Sequence, residues 1–316
     1  MKVSIIIPVK DDPRVADVVA ALRLDLPPDG EIVVADDGKP GALPPLSGAH
    51  IVPVHGSNPG RARNVAARAA RGQVLLFTDA DVFIPAGWVQ TALAIFEDPA
   101  VAAAQGNTRT KGAGQLARRL DEEYDRFVES HAATGYADLC DTRCFGVRRE
   151  VFERFGFDFE EPFCEDASLG RRLFEAGILI RFVPAWLVEH YARGSVSEEL
   201  ARFRRYAAAS ERHFRRTGRD LFRAPQGPAP KGPGASLLRL GRRLPALTPA
   251  TSLALWALAL TLGRLSAATL PGGRQLFSGA RRAAVLSGRL DPRNRDEWRP
   301  PRRPGGTGDQ SSWPVR

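Results

Sequence analysis

Gln73-Val74-Leu75-Leu76-Phe77-Thr78-Asp79-Ala80-Asp81 is a short apolar run that passes directly into two carboxylates at i and i+2. Its length and its Val/Leu/Phe content predict a buried strand. Where such a strand ends, the backbone emerges from the sheet, so Asp79 and Asp81 can reach a ligand held beyond its carboxyl end. Two carboxylates there suit one hard cation, Mg2+ or Mn2+, that keeps open positions for phosphate oxygens. The plainer reading is a capping turn in which Asp79 satisfies backbone amides.

The flanking sequence repeats this design. Val3-Ser4-Ile5-Ile6-Ile7-Pro8-Val9 and Glu31-Ile32-Val33-Val34-Ala35 read as strands, the second ending in Asp36-Asp37-Gly38, and His50 to Val54 as a third. Amphipathic stretches at residues 13–24 and 59–71 separate them as helices, the second closed by Gly72 as a C-cap. Alternating strands and helices predict a layered α/β domain. Asp36 and Asp37 therefore line the same crevice as Asp79 and Asp81, where a carboxylate can accept from a base N–H or from ribose hydroxyls; taken alone they read as an Asp-Gly turn.

Further helices are predicted at 88–96, 115–131, 149–155, 165–176 and 197–217, and short strands at 101–105, 144–147 and 179–183. Asn58-Pro59-Gly60-Arg61-Ala62-Arg63-Asn64 opens a helix with a cationic first turn, which opposes the helix dipole and so calls for a reason. A bound diphosphate would supply one, and solvated surface arginines are the alternative. Glu165-Asp166 opens another helix, where acidic residues are favourable on dipole grounds alone; functionally, a carboxylate there could take a proton from an acceptor hydroxyl. His190 is a candidate third metal ligand, or a structural histidine.

These residues, in this order, resemble family 2 glycosyltransferases of the GT-A fold, a Rossmann-like, mixed mostly parallel sheet with flanking helices. The resemblance covers roughly residues 1 to 218 and rests on the strand Val3–Val9, on Val33-Val34-Ala35-Asp36-Asp37-Gly38, on Gly60-Arg61-Ala62-Arg63-Asn64, on the DxD motif Asp79-Ala80-Asp81, on Phe163-Cys164-Glu165-Asp166 and on Glu189-His190. It implies a metal-dependent, inverting, hexosyltransferase-type enzyme that moves one sugar from a UDP- or GDP-sugar to a hydroxyl acceptor. Asp166, with Glu165 beside it, would be the catalytic base. Pro8, Asp36, Asp37, Arg61, Arg63, Asn64 and Asp79 would bind the nucleotide sugar, and Asp81, Asp79 and His190 would hold Mg2+ or Mn2+. Asp141-Thr142-Arg143-Cys144-Phe145-Gly146 stands where the family has its acceptor-facing segment. Two departures stand out: Lys10-Asp11-Asp12-Pro13 follows the opening strand, and no Gln-x-x-Arg-Trp motif of a processive synthase occurs. Two rival readings are a nucleotidyltransferase, which lacks support because no Gly-rich loop follows the first strand, and a catalytically silent nucleotide-sugar-binding or membrane-associated module.

Composition bounds the rest. The 316 residues are 43% hydrophobic and 26% charged, which excludes a wholly disordered or multi-spanning chain. Three cysteines cannot build a disulfide framework, and an N-terminus without signal-peptide features agrees with a cytoplasmic location or one at the inner face of the cell membrane. The charge is uneven: residues from Arg223 onward carry 16 basic and 4 acidic side chains, a net +12, whereas the first 222 carry a net −3. The expected division is a GT-A domain at 1–222, a Pro/Gly linker at 223–236, a basic and apolar helical extension at 237–299 and a disordered tail at 300–316. Within the extension, residues 244–263 lack charge and could span a bilayer, lie in its interface or pack on the main domain. An anionic membrane surface is thus an expected partner of 237–299, with a lipid-linked acceptor if contact occurs. Nucleic acid is not expected, since Trp298 and Trp313 are almost the only aromatic residues near the basic tail.

Overall fold

The computed structural model describes residues 2–56, 58–112, 114–137, 140–158, 164–191, 195–218, 248–267 and 273–291, together with positions 236 and 240. The predicted linker at 223–236, apart from position 236, and the tail at 300–316 lie outside the described residues. In chain order the elements are β1 (Val3–Val9), α1 (Val15–Asp25), β2 (Glu31–Asp36), β3 (Ala49–Pro53), α2 (Pro59–Ala69), β4 (Val74–Phe77), β5 (Val82–Phe83), α3 (Trp88–Glu97) and β6 (Ala103–Lys111). They continue with α4 (Gln115–Ala132), β7 (Tyr136–Ala137), β8 (Phe145–Arg148), α5 (Arg149–Phe155), α6 (Glu165–Glu175), β9 (Ile180–Tyr191), α7 (Val196–Thr217), α8 (Thr248–Ala267) and α9 (Gly273–Arg289).

The strands form one mixed sheet in the order β3-β2-β1-β4-β8-β6-β9-β5, with β7 also on β9. β3, β2, β1 and β4 run parallel, with α1 as the crossover from β1 to β2 and α2 as that from β3 to β4, and β8 enters antiparallel against β4. The two-residue side-chain period of β1 sorts the core. Ile5 and Ile7 face α1 and α3 through Val18, Val19, Leu22 and Phe96, whereas Ile6 faces the opposite layer with Ala66, Phe77 and Leu169. Both faces of the sheet are therefore covered, which explains the near-continuous apolar runs in β1, β2 and β4.

Two glycines matter because of close approach. Gly72 does not cap α2: that helix ends at Ala70, in extended backbone. A Cβ on Gly72 would instead lie 2.4 Å from the Ser4 backbone nitrogen, and the Gly72 N–H donates to Ser4 Oγ at 2.7 Å. Gly60 lets α2 meet α6, since a Cβ there would lie 2.9 Å from Glu165 Cγ. β6 and β9 run longer than the sequence suggests, because polar residues after Gln105 are recruited into a parallel ladder that only tertiary pairing creates. The end of α6 follows its predicted signal: Gly177 adopts positive φ, and the Ile178 and Gly177 amides return to Leu173 and Phe174.

The chain divides into two compact units. Residues Met1–Gly112 and Leu120–Tyr191 belong to the first, and Ala113–Arg119 and Ala192–Gly306 to the second. α7, read from sequence with the first domain, packs with α8 and α9 around Leu200, Ala259, Ala280 and Ala284. Among the described residues no helix, α8 included, is long and apolar enough to cross a membrane. Cys140, Cys144 and Cys164 are buried and in no disulfide.

Gly72→Ala is expected to lower stability by about 1–3 kcal/mol, the usual cost of overpacking a tight contact. Thermal unfolding of the purified variant checks this; an unchanged midpoint would mean that the β1–β4 edge yields freely.

Candidate active site

The site is built at the carboxyl ends of β1, β2 and β4, which the parallel register brings level: Pro8 pairs with Ala35, Val9 with Asp36, and Ile6 with Phe77. Asp36 accepts from the Gly38 amide at 2.9 Å, turning the chain sharply after β2. Asp37 is anchored by its own N–H to the Val9 carbonyl at 2.9 Å, and Lys10 Nζ lies 3.3 Å from Asp37 Oδ2. The unusual segment after β1 supports this turn. Asp11 adopts positive φ, accepts from the Lys39 amide at 2.8 Å, and presses so closely that a Cβ on Gly38 would lie 2.6 Å from its carboxylate.

α2 delivers Arg63 to the centre of the first unit. Asn58 caps the helix by accepting from the Arg61 amide at 2.9 Å, with Pro59 in the first turn. Arg63 is 4% exposed, and its two terminal nitrogens donate to Glu165 Oε1 and to Asp79 Oδ1, each at 2.7 Å. Its guanidinium also lies over the Phe157 ring, 5.7 Å from the centroid. Arg63, the second of the two arginines that open α2, thus pairs with two protein carboxylates. Asn64, expected at the nucleotide sugar, clamps the backbone of Phe157, donating to its carbonyl at 2.8 Å and accepting from its amide at 2.9 Å. Arg61 lies half-buried on the same helix.

Electrostatics single out Asp166. Burial, then the neighbouring charges of Glu165 and Asp141, push its carboxyl up to about 8, only partly opposed by Arg63 and by the Ala167 amide. Glu165 is also raised, by burial, against the pull of Arg63. Asp141 belongs to the loop before β8, where Arg143 Nε donates to it at 2.9 Å while Arg143 Nη1 donates to the Tyr124 hydroxyl at 2.7 Å. Despite its desolvation, Arg143 holds Asp141 below the usual carboxylate range. The loop is tied to the acidic turn after β4 by the Thr78 hydroxyl, which donates to the Arg143 carbonyl at 2.9 Å.

Asp81 meets His190 through strand pairing. Val82 stands opposite His190 in the β5–β9 ladder, and His190 Nε2 lies 3.3 Å from Asp81 Oδ2. One carboxylate and one imidazole fit a divalent cation that completes its shell with phosphate oxygens and water. Asp79, expected beside them, is engaged by Arg63, and among the described residues no group of three or more His, Cys, Asp or Glu side chains converges on one cation position. Sequence reasoning missed Arg14, whose Nη2 lies 3.8 Å from Asp81 Oδ2 and whose Nε donates to Asp12 at 2.9 Å. No periodic or motif signal marks Arg14, which begins an ordinary amphipathic helix.

Arg63→Met should cost roughly 3–5 kcal/mol in denaturant unfolding, because it leaves Glu165 and Asp79 without their shared cation. The raised Asp166 carboxyl makes a separate forecast. Its folded-state value of about 8 exceeds the unfolded 3.8, so its contribution to stability is complete below pH 3.8 and is lost as pH rises to about 8. Asp166→Asn removes that decline; parallel pH–stability curves for the two proteins would contradict the assignment.

Comparison with known proteins follows the same lines. The family model described as "Glycosyl transferase family 2" matches residues 4–156. A pre-mycofactocin glycosyltransferase from Mycobacterium tuberculosis is 29% identical over 221 residues, covering 63% of this chain and 45% of its own length. The chain therefore spans about half the length of the curated relatives it matches. Among solved structures, a mannosyltransferase from Pyrobaculum calidifontis in complex with GDP-Man and Mn2+ superposes with a TM-score of 0.57 at 17% identity, covering 90% of this chain and 85% of that one. Glucosyl-3-phosphoglycerate synthase from Mycobacterium tuberculosis, in complex with Mn2+, UDP and glucosyl-3-phosphoglycerate, gives 0.50 at 16% identity, with 69% and 80% coverage. At such identities the superpositions establish the fold. Residues 4–156, just under half of the chain, thus match the glycosyl transferase family 2 model, and the superpositions show a GT-A fold.

Proposed function

We propose that the chain is a metal-dependent glycosyltransferase that moves a single sugar from a UDP- or GDP-sugar to a hydroxyl acceptor with inversion at the anomeric carbon. The observation that carries this reading is Asp166, a carboxyl pushed up to about 8 at the first turn of α6. A carboxyl with such a value accepts a proton through its ionised fraction, which grows as pH rises toward 8, and holds that proton well once transferred. Asp166 would take the acceptor proton as the acceptor oxygen bonds to the anomeric carbon, and the bond from that carbon to the diphosphate oxygen breaks.

Glu165 and Arg63 would position Asp166 rather than react, since the Arg63–Glu165 ion pair fixes the first turn of α6. Asp36, Asp37 and Pro8 line the strand ends where the nucleotide would lie, with Arg61 on the helix beyond. Asp81 and His190 would hold Mg2+ or Mn2+, which when bound neutralises charge on the leaving diphosphate. The mannosyltransferase and synthase complexes, with GDP-Man or UDP and Mn2+, support this choice of donor and metal.

The test is thermal unfolding of the full chain against a panel of nucleoside diphosphates and nucleotide sugars, with and without Mn2+. A nucleotide at 100 times its dissociation constant should add about 2.7 kcal/mol, a gain that disappears in Asp81→Ala. Asp166→Asn should keep the nucleotide shift and lose about 100- to 10,000-fold in transfer rate. No shift from any nucleotide with a folded sample would favour the silent module instead.

A further inference from the structure

α8 is built inside out. Its fully buried positions are Thr248, Ser252, Ala259, Gly263 and Ser266, all small and mostly polar, with half-buried Trp256 and Leu262 packed beside them against Leu200 and Ala280. Its exposed face carries Leu253, Ala254, Ala257, Leu258, Thr261 and Leu265, spaced three and four residues apart along one side of the helix. Leu253 is 69% exposed, Leu258 48% and Leu265 46%. A surface helix in water arranges these residue types the other way round, with leucines inward and polar groups outward. From Leu253 to Leu265 the apolar stripe runs about 18 Å, at 1.5 Å per residue.

The interior behind that stripe is a hydrogen-bonded seam. Ser252 Oγ donates to the Ser287 carbonyl at 2.9 Å and Ser287 Oγ donates to the Ser252 carbonyl at 2.8 Å, locking α8 to α9. Arg204 of α7 donates to Ser287 Oγ at 3.0 Å and to Asp291 at 2.9 Å. Polar groups satisfied inside and leucines outside is the arrangement expected of a helix whose outer face meets an apolar medium.

We propose that α8 lies flat in the interface of an anionic phospholipid bilayer, its Leu253–Leu258–Leu265 stripe buried among the acyl chains. α8 is not apolar enough to cross the membrane, so contact is in-plane. Charge argues for lipid over a second copy of the chain. α8 contains no acidic residue, Arg264 and Arg282 are exposed, and residues from Arg223 onward carry a net +12, which attracts anionic headgroups and would repel a second copy of the same surface. This inference stands apart from the transfer chemistry and concerns a different part of the chain.

Flotation of the full chain with phosphatidylcholine vesicles, with and without about 30% phosphatidylglycerol, tests it. The wild type should float with the anionic vesicles and far less with neutral ones, and raised salt should weaken the association. Leu253→Glu with Leu258→Glu should reduce binding at least roughly tenfold while leaving the melting temperature unchanged, because both residues are solvent-facing. Leu265→Glu alone provides a second reading if the double variant unfolds. Failure of the folded wild type to bind either vesicle, or binding that survives both sets of substitutions, overturns the proposal. So does a dimer in vesicle-free buffer that Leu253→Glu dissociates, since a second copy would then cover the stripe.

Discussion

A single buried guanidinium organises the first unit of this protein. Arg63 ties the turn after β4 to the first turn of α6 through Asp79 and Glu165, contacts 16 and 102 residues away in sequence. A charge taken out of water at that depth is tolerable only when opposite charges and hydrogen bonds surround it. The two carboxylates meet that need, and in doing so they set α6 beside the strand ends. Asn64, one residue on, clamps the Phe157 backbone, so the aromatic ring under Arg63 is held by the same helix.

The same arrangement explains why Asp166 differs chemically from its neighbour. Glu165 has Arg63 within hydrogen-bonding distance, whereas Asp166 is buried beside two other carboxylates, Glu165 and Asp141, with the charge of Arg63 and the Ala167 amide opposing them only in part. Adjacent acids on one helical turn therefore acquire different characters: one an ion-pair partner, the other a carboxyl raised well above its ordinary range. Arg143 faces Asp141 and holds it below the usual carboxylate range, and the Asp141 charge helps to keep Asp166 protonated to higher pH.

Much of the fold was legible in the primary structure. The apolar runs of β1, β2 and β4, the Asn58-Pro59 start of α2 and the Gly177 ending of α6 are local signals, and each lies within a residue or two of its predicted place. Gly72 was legible as a required glycine but not for the right reason, since its need comes from Ser4, 68 residues away. The length of β6 and β9 was hidden because their polar halves become strands only by pairing with each other. Arg14 beside Asp81 carried no local signature at all.

What the amino-acid sequence determined by itself is the alternation of strands and helices and the placing of carboxylates just past strand ends, because side-chain periodicity and capping chemistry act over a few residues. What only the tertiary structure decided is which charges meet. Arg63 turned to Glu165 and Asp79, Asp81 met His190 across the β5–β9 ladder, and α8 placed its serines inward and its leucines outward. A desolvated polar group must find a partner, but packing chooses the partner, and packing joins residues that sequence keeps far apart.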